Sequence, residues 1–273
     1  MSLELSPEVF VIFAALVEEA AGIHYRLEDR ELLQGKLAAR AVEAGFDSLL
    51  DYYYYLRYDP DSAEERQELI DSLVVNESYL FREQRQLRYI ASEILAPAVD
   101  AGRTPRVWSA ACAAGEEPLG LAMMLAERGI LGRVELVASD ISRRALARAR
   151  RGELSRRALR DVAEPGLVTR WVERSDRGGI VRPSLLGHVD FRQVNLTDAE
   201  AVRRLGTFDV ILCRNVLIYF SDELQRRVVQ LLLERLEPEG TLWVGISESL
   251  MRLEPYVTCE ERQGLLFYRA GVR

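Results

Sequence analysis

From residue 107 onward, short β-rich runs alternate with helical patterns, and that alternation leaves few architectures open. The runs are VWSAA (107–111), VELVAS (134–139), VDFRQV (189–194), FDVILC (208–213), TLWVGI (241–246) and LLFYR (265–269). Strands joined by helices pair in parallel through right-handed crossovers, and the helices cover both faces of the sheet. The expected fold is therefore α/β with a mostly parallel, Rossmann-like sheet. The last two runs, YVTCEE and LLFYRA, suit an antiparallel hairpin at the sheet edge. One interval, 141–188, is too long for a single crossover. It holds an arginine-rich helical stretch and then alternation around Gly178-Gly179, a hairpin signal. A small antiparallel β-subdomain is expected there, at about 165–190.

The first 83 residues have a different texture. Ser6-Pro7-Glu8 reads as an N-cap with proline at the first helical position, and Gly22 as a stop. Val9, Phe10, Phe13, Leu16, Val17 and Ala20 fall at helical spacing between them. Further helices fit Leu27 to Ala44, Ser48 to Tyr58 and Ser62 to about Val74. Tyr52 to Tyr55 reads as the core and flank of a helix. Two domains are expected: a helical bundle over 1–83 and a sheet domain over 84–273. Charge divides at the same place. Residues 1–83 carry 7 basic and 18 acidic side chains, net −11, and residues 84–273 carry 29 and 25, net +4.

That balance argues against nucleic acid as partner, because a phosphate backbone wants a broad basic face. No apolar run reaches the roughly 18 residues of a membrane span, and MSLELSPEVF lacks the basic start of a signal peptide. Cys112, Cys213 and Cys259 are few and scattered, which suits a reducing cytoplasm and neither a disulfide frame nor a zinc site. With His24 and His188 the only histidines, a His-based metal site or triad is poorly supplied. A monomer without a metal is expected.

In an open parallel sheet, ligands sit beyond the C-terminal strand ends near the switch in strand order, and five segments converge there. SAACAAGEEP follows the first strand with small residues and a turn glycine, Gly115. It is not GxGxxG. Glu116 and Glu117 would repel a pyrophosphate and suit a cationic ligand, or simply favour a helix N-terminus. Asp140 ends the second strand, placed either for ribose hydroxyls or to cap the next helix. Asn195-Leu196 follows the third run; the Asn fits an adenine edge or an ordinary turn. Arg214 and Asn215 end a central apolar strand, where packing does not explain them, and Tyr219 lies one helical turn on. The fifth segment is NESYLFRE (76–83), in which Asn76, Ser78 and Arg82 alternate with apolar residues. It fits a lid over the ligand pocket or a plug between domains.

Taken together and in order, NESYLFRE, VWSAACAAGEEP, ASDIS, ARARRGEL, LCRNVLIYF and GISESL resemble the CheR family of chemotaxis receptor glutamate methyltransferases. The likeness runs from AGIHYRLEDRELLQGKLAAR to the closing FYRA. It implies S-adenosylmethionine as cofactor, with S-adenosylhomocysteine as product, in a Rossmann-like methyltransferase domain. It carries cofactor contact onto Asn76, Ser78, Arg82, Glu117, Asp140, Asn195, Leu196, Arg214 and Asn215. It places Arg82 and Tyr219 beside the methyl group and the acceptor carboxylate. The implied partners are cytoplasmic helices of chemoreceptors. Alternatives are a module that senses the cofactor without turnover, or a methyltransferase of this fold with another acceptor.

Some residues depart from the family pattern. Ser78 stands for Thr and Leu80 for Phe in the first motif, and Ala111 and Ala114 replace residues often Gly and Thr. The second helix of the family is usually basic, whereas residues 26–45 hold Arg26, Arg30, Lys36 and Arg40 against Glu28, Asp29, Glu31 and Glu43. The hairpin ERSDRGGIV is short, so tethering to a receptor tail is not expected.

Overall fold

A computed structural model describes residues 3–160, 162–253 and 257–271. The chain begins as a helical bundle: α1 (Pro7–Ala21), α2 (Arg30–Glu43), α3 (Leu49–Tyr58) and α4 (Ala63–Leu73). Ser6 caps α1 by accepting from the Val9 N–H, and Gly22 ends it in the left-handed region at φ 76°. The expected second helix opens with a separate 3-10 turn, Leu27–Asp29, before α2. Phe13, Leu33, Leu37, Tyr52, Leu56 and Leu73 fill the bundle core. Of the tyrosine run, Tyr52 is buried and Tyr54 faces solvent, as the helical period requires.

NESYLFRE leads into α5 (Gln84–Tyr89), which passes through a π turn (Ile90–Leu95) into α6 (Ala96–Asp100). There follow β1 (Arg106–Ala110), α7 (Glu116–Glu127), β2 (Glu135–Asp140), α8 (Arg143–Arg150), β3 (Glu153–Ser155), α9 (Pro165–Trp171), β4 (Val172–Ser175), β5 (Gly178–Val181), α10 (Pro183–Leu186), β6 (Val189–Gln193), α11 (Ala199–Arg203), β7 (Phe208–Cys213), α12 (Asp222–Leu233), β8 (Leu236–Trp243), β9 (Val257–Arg262) and β10 (Leu265–Ala270).

Among the described residues the main sheet has seven strands in the order β6-β2-β1-β7-β8-β10-β9. The first five pair in parallel. β10 pairs antiparallel with both β8 and β9, giving the edge hairpin expected from the last two runs. Tyr256, which opens YVTCEE, lies outside the described residues. Side chains alternate between two cores: Val210 and Leu212 of β7 join one, Ile211 and Cys213 the other. Leu80 and Phe81 pack in the first of these, so the centre of NESYLFRE is anchored in the sheet domain.

The small sheet has the order β3-β5-β4 and is antiparallel. Its third strand, Glu153–Ser155, comes from the end of α8, upstream of the interval expected for the subdomain. The run is too short to show a strand period, and Gly178 on the facing strand lets it approach closely. β8 also differs from TLWVGI: it starts at Leu236 and stops at Trp243. Beyond it, the Gly245 N–H is taken by the Glu248 carboxylate instead of a neighbouring strand.

Candidate functional site

Strand order reverses between β1 and β7, because the chain winds outward from β1 to β2 and β6 before returning to β7. The loops after these strands open a crevice there. A cavity of about 310 Å3 occupies it, lined by Asn76, Asp140, Asn195, Leu196, Asn215 and Tyr219 among others. A second cavity of about 530 Å3 shares Val75, Asn215, Ile218 and Tyr219 with the first and adds Arg82. Tyr219 thus stands where the two meet. Arg82 has no carboxylate partner among the described residues; its guanidinium lies 5.7 Å from the centre of the Tyr79 ring.

The loop after β1 is wound tightly. Ala111 (φ 58°) and Ala113 (φ 50°) lie in the left-handed region with Gly115 (φ 89°), where a Cβ would press on Ala149 and Phe191. Asp140 holds this loop: one carboxylate oxygen accepts the Ala113 N–H at 2.8 Å, the other the Ser142 N–H at 2.9 Å. Burial pushes the Asp140 carboxyl above its ordinary range, and those N–H groups partly offset it. A left-handed alanine costs about 1 kcal/mol that glycine does not. Ala111→Gly should therefore raise stability by about 1 kcal/mol in chemical denaturation.

Asn195 is already engaged at both ends. Its amide donates to the Ala20 carbonyl at 2.9 Å, and its Oδ1 accepts the Thr197 N–H at 3.0 Å. It ties the end of α1 to the loop after β6, so its adenine-reading edge is committed within the protein here. Leu196 is buried beside it and presents an apolar wall.

Glu117, Arg214 and Ser78 line neither cavity. Glu117 accepts from Ser109 Oγ at 2.6 Å and from Arg214 at 3.0 Å. Arg214 also donates to the Arg82 carbonyl at 2.5 Å and lies 3.3 Å from the Glu83 carboxylate. The reason is electrostatic: an arginine at the end of a buried strand needs carboxylates, and Glu83 and Glu117 supply them. The network forms the floor under NESYLFRE rather than the wall of a cavity. Glu116 is buried too, which raises its carboxyl above the ordinary value.

Sequence reasoning missed two parts of the site. Tyr25, Asp29, Leu32 and Lys36 of the helical bundle line the first cavity. The chain turns at Gly22 against Thr197, Phe220 and Leu224, and the His24 N–H donates to the Tyr219 carbonyl at 2.8 Å. Nothing in the helical period of α2 distinguishes a residue facing a ligand from one facing its own bundle. The other part is Glu248 of GISESL. Its buried carboxylate accepts the N–H groups of Asn215 (2.7 Å), Leu217 (2.9 Å) and Gly245 (2.8 Å). These bonds hold Asn215 in the left-handed region at φ 61°. A Cβ at Gly245 would fall 2.5 Å from the Asn215 amide, so glycine is needed there. The signal was an acid just past a strand end inside a quoted motif.

No helix among the described residues is long and apolar enough to cross a membrane, and no cluster of His, Cys, Asp and Glu there suits a metal. The first cavity suits a small cationic ligand carrying hydroxyls. Asp29 and Asp140 are in its wall, and Lys36 there already donates to the Leu73 carbonyl at 2.7 Å.

Comparison with known proteins agrees. The profile of the CheR methyltransferase all-alpha domain matches residues 8–74, and that of the CheR methyltransferase SAM binding domain matches residues 76–264. The chemotaxis protein methyltransferase 2 of Vibrio cholerae is 34% identical over 249 residues, covering 89% of this chain and 86% of that protein. The chemotaxis protein methyltransferase of Escherichia coli is 33% identical, covering 92% and 88%. A protein of Pseudomonas putida named a probable biofilm formation methyltransferase is 33% identical, covering 86% of this chain and 55% of that one. The chain therefore belongs to the CheR methyltransferase family, a methyltransferase whose cofactor is S-adenosylmethionine.

Proposed function

We propose that this methyltransferase esterifies glutamate side chains on cytoplasmic helices of chemoreceptors, and that it works in the cytoplasm. The observation that carries the reading is the placement of Arg82. It is a guanidinium without a carboxylate partner, in a cavity that it shares with Tyr219 and that adjoins the cofactor crevice. A glutamate carboxyl has an ordinary pKa near 4.3, so the acceptor is ionised at neutral pH and needs no general base. S-Adenosylmethionine supplies a methyl carbon that the carboxylate oxygen takes directly, with the electron pair of the broken bond staying on sulfur. The protein supplies alignment and exclusion of water.

In this reading Arg82 holds the acceptor carboxylate and Tyr219 orients it by a hydrogen bond. Val75 and Ile218, shared by both cavities, give the junction apolar surface that a docked acceptor would cover. Asp140 is placed for the ribose hydroxyls, while Asn76, Leu196 and Asn215 enclose the remainder. Arg214 and Glu117 act one step removed by fixing the backbone of Arg82. Calorimetry should show micromolar binding of S-adenosylhomocysteine. A labelled-methyl assay on receptor cytoplasmic fragments should yield base-labile ester. Binding without ester on any receptor fragment would replace this reading by a sensor or by another acceptor. The neutral balance of residues 26–45 favours another acceptor as the second reading.

Buried acids of the loops around the crevice also set a pH dependence. Asp140 and Glu116 have folded-state values raised by burial above 3.8 and 4.5. The stabilising contribution of their protons is complete below the unfolded values and is lost as pH rises through the raised ones. Cofactor-free protein should thus melt at a higher temperature as pH falls from neutrality toward 4.5. S-Adenosylhomocysteine, which needs ionised Asp140, should bind more weakly over the same interval. A melting temperature that falls steadily over that range would contradict this.

A further inference from the structure

Two of the basic side chains of α2, Lys36 and Arg40, are engaged within the protein. Lys36 of α2 points into the first cavity and donates to the Leu73 carbonyl. Arg40 is enclosed by Glu65 and Glu43, its Nε donating to Glu65 at 2.7 Å. Arg26, before α2, sits 3.7 Å from Glu28. Positive charge reappears at the mouth of the second cavity. Arg157 and Arg160, in the loop after β3, line it with Arg82. Among the described residues Glu77 is the one acid in its wall, and it is ion-paired with Arg157. Arg82 and Arg160 have no carboxylate partner among the described residues. Among the described residues, three guanidiniums against one carboxylate leave the mouth two positive charges in surplus.

One of those charges, on Arg82, is matched by the carboxylate that the proposed reaction consumes. The other is not. The rim also exposes apolar surface, with Val75 52%, Tyr79 43% and Ile218 56% accessible. Resting on the glutamate-methylating reading, we propose that Arg157 and Arg160 form the acceptor-docking surface and select a helical protein segment carrying a second carboxylate beside the methylated one. Aliphatic residues on that segment cover Tyr79 and Ile218. In a helix, an acid three or four positions away shares the face of the methylated residue, within reach of a long arginine. Glu77 holds Arg157 until the partner's acid takes its place. The docking charge thus lies in the loop after β3, beside the small sheet.

The test uses the full chain loaded with S-adenosylhomocysteine and two synthetic helical peptides. Each carries one central glutamate, flanked in one peptide by glutamates and in the other by glutamines. Fluorescence polarisation should show the acid-flanked peptide binding about fivefold to tenfold tighter, as two partly exposed ion pairs allow. The preference should shrink with added salt. Arg157→Gln with Arg160→Gln should abolish the preference without changing S-adenosylhomocysteine affinity, which also reports that the variant is folded. Glu77→Gln should strengthen binding of the acid-flanked peptide by freeing Arg157. Equal binding of both peptides, or an unchanged preference in the double variant, would overturn the proposal. So would a single-stranded oligonucleotide that binds as tightly with the same arginine dependence. If the acid-flanked peptide binds as expected but gains no ester with S-adenosylmethionine, this surface stands and glutamate methylation falls.

Discussion

Arg82→Ala is expected to lower kcat/KM for acceptor methylation by about a hundredfold to a thousandfold, the scale of losing a group that aligns a reacting atom. S-Adenosylhomocysteine affinity should change little, because Arg82 lines the second cavity and not the first. Arg82→Lys should recover only part of the rate, since a point charge cannot grip both carboxylate oxygens. Tyr219→Phe removes one hydrogen bond and should cost about tenfold, near 1.4 kcal/mol. A single-turnover methyl-transfer assay with calorimetry on the same samples measures both quantities. Turnover unchanged in Arg82→Ala and Tyr219→Phe, with cofactor binding intact, would show that neither residue has the role assigned.

Arg214→Ala should be the most destabilising single change in the sheet domain, by about 3–5 kcal/mol. The guanidinium side chain is 2% exposed and bridges Glu83 and Glu117. Removing it strands two carboxylates beneath NESYLFRE and frees the Arg82 carbonyl it holds. Urea denaturation at neutral pH measures the loss. The loss should shrink as pH is lowered, because burial already raises Glu117 and an unpaired Glu117 takes up a proton more readily still. Adding Glu117→Gln to Arg214→Ala should recover part of the stability. A double variant no more stable than the single one would mean that the stranded charge is not the cause.

The fold was legible because its signals are local. Apolar runs of strand length, helix-length gaps and the cap at Ser6-Pro7 each state a backbone preference without help from distant residues. Asp140, Asn215 and Tyr219 were legible for a related reason: polar residues at the ends of buried strands have few structural uses. The third strand of the small sheet was not legible, since Glu153–Ser155 pairs only because β5 lies beside it. Glu248 was invisible as a ligand of three backbone N–H groups because two of them, on Asn215 and Leu217, lie far upstream in sequence. Glu117 and Arg214 were singled out correctly as unusual. Sequence does not distinguish a carboxylate facing a ligand from one facing a buried arginine.

The contrast between an acidic front and a nearly neutral remainder finds its outlet where α4 meets α8. Glu64 reaches Arg143 at 2.6 Å, Glu68 pairs with Arg144, and Asp71 accepts from Ser142 Oγ at 2.5 Å. Those opposite signs cancel along a seam that is itself open to solvent, so an approaching partner meets the front half's negative excess already partly neutralised there. Such a seam ties the histories of its two sides together. Among kindred sequences, an arginine lost from the start of α8 should vanish in company with its acid on α4, while the bulk charge of each half drifts freely.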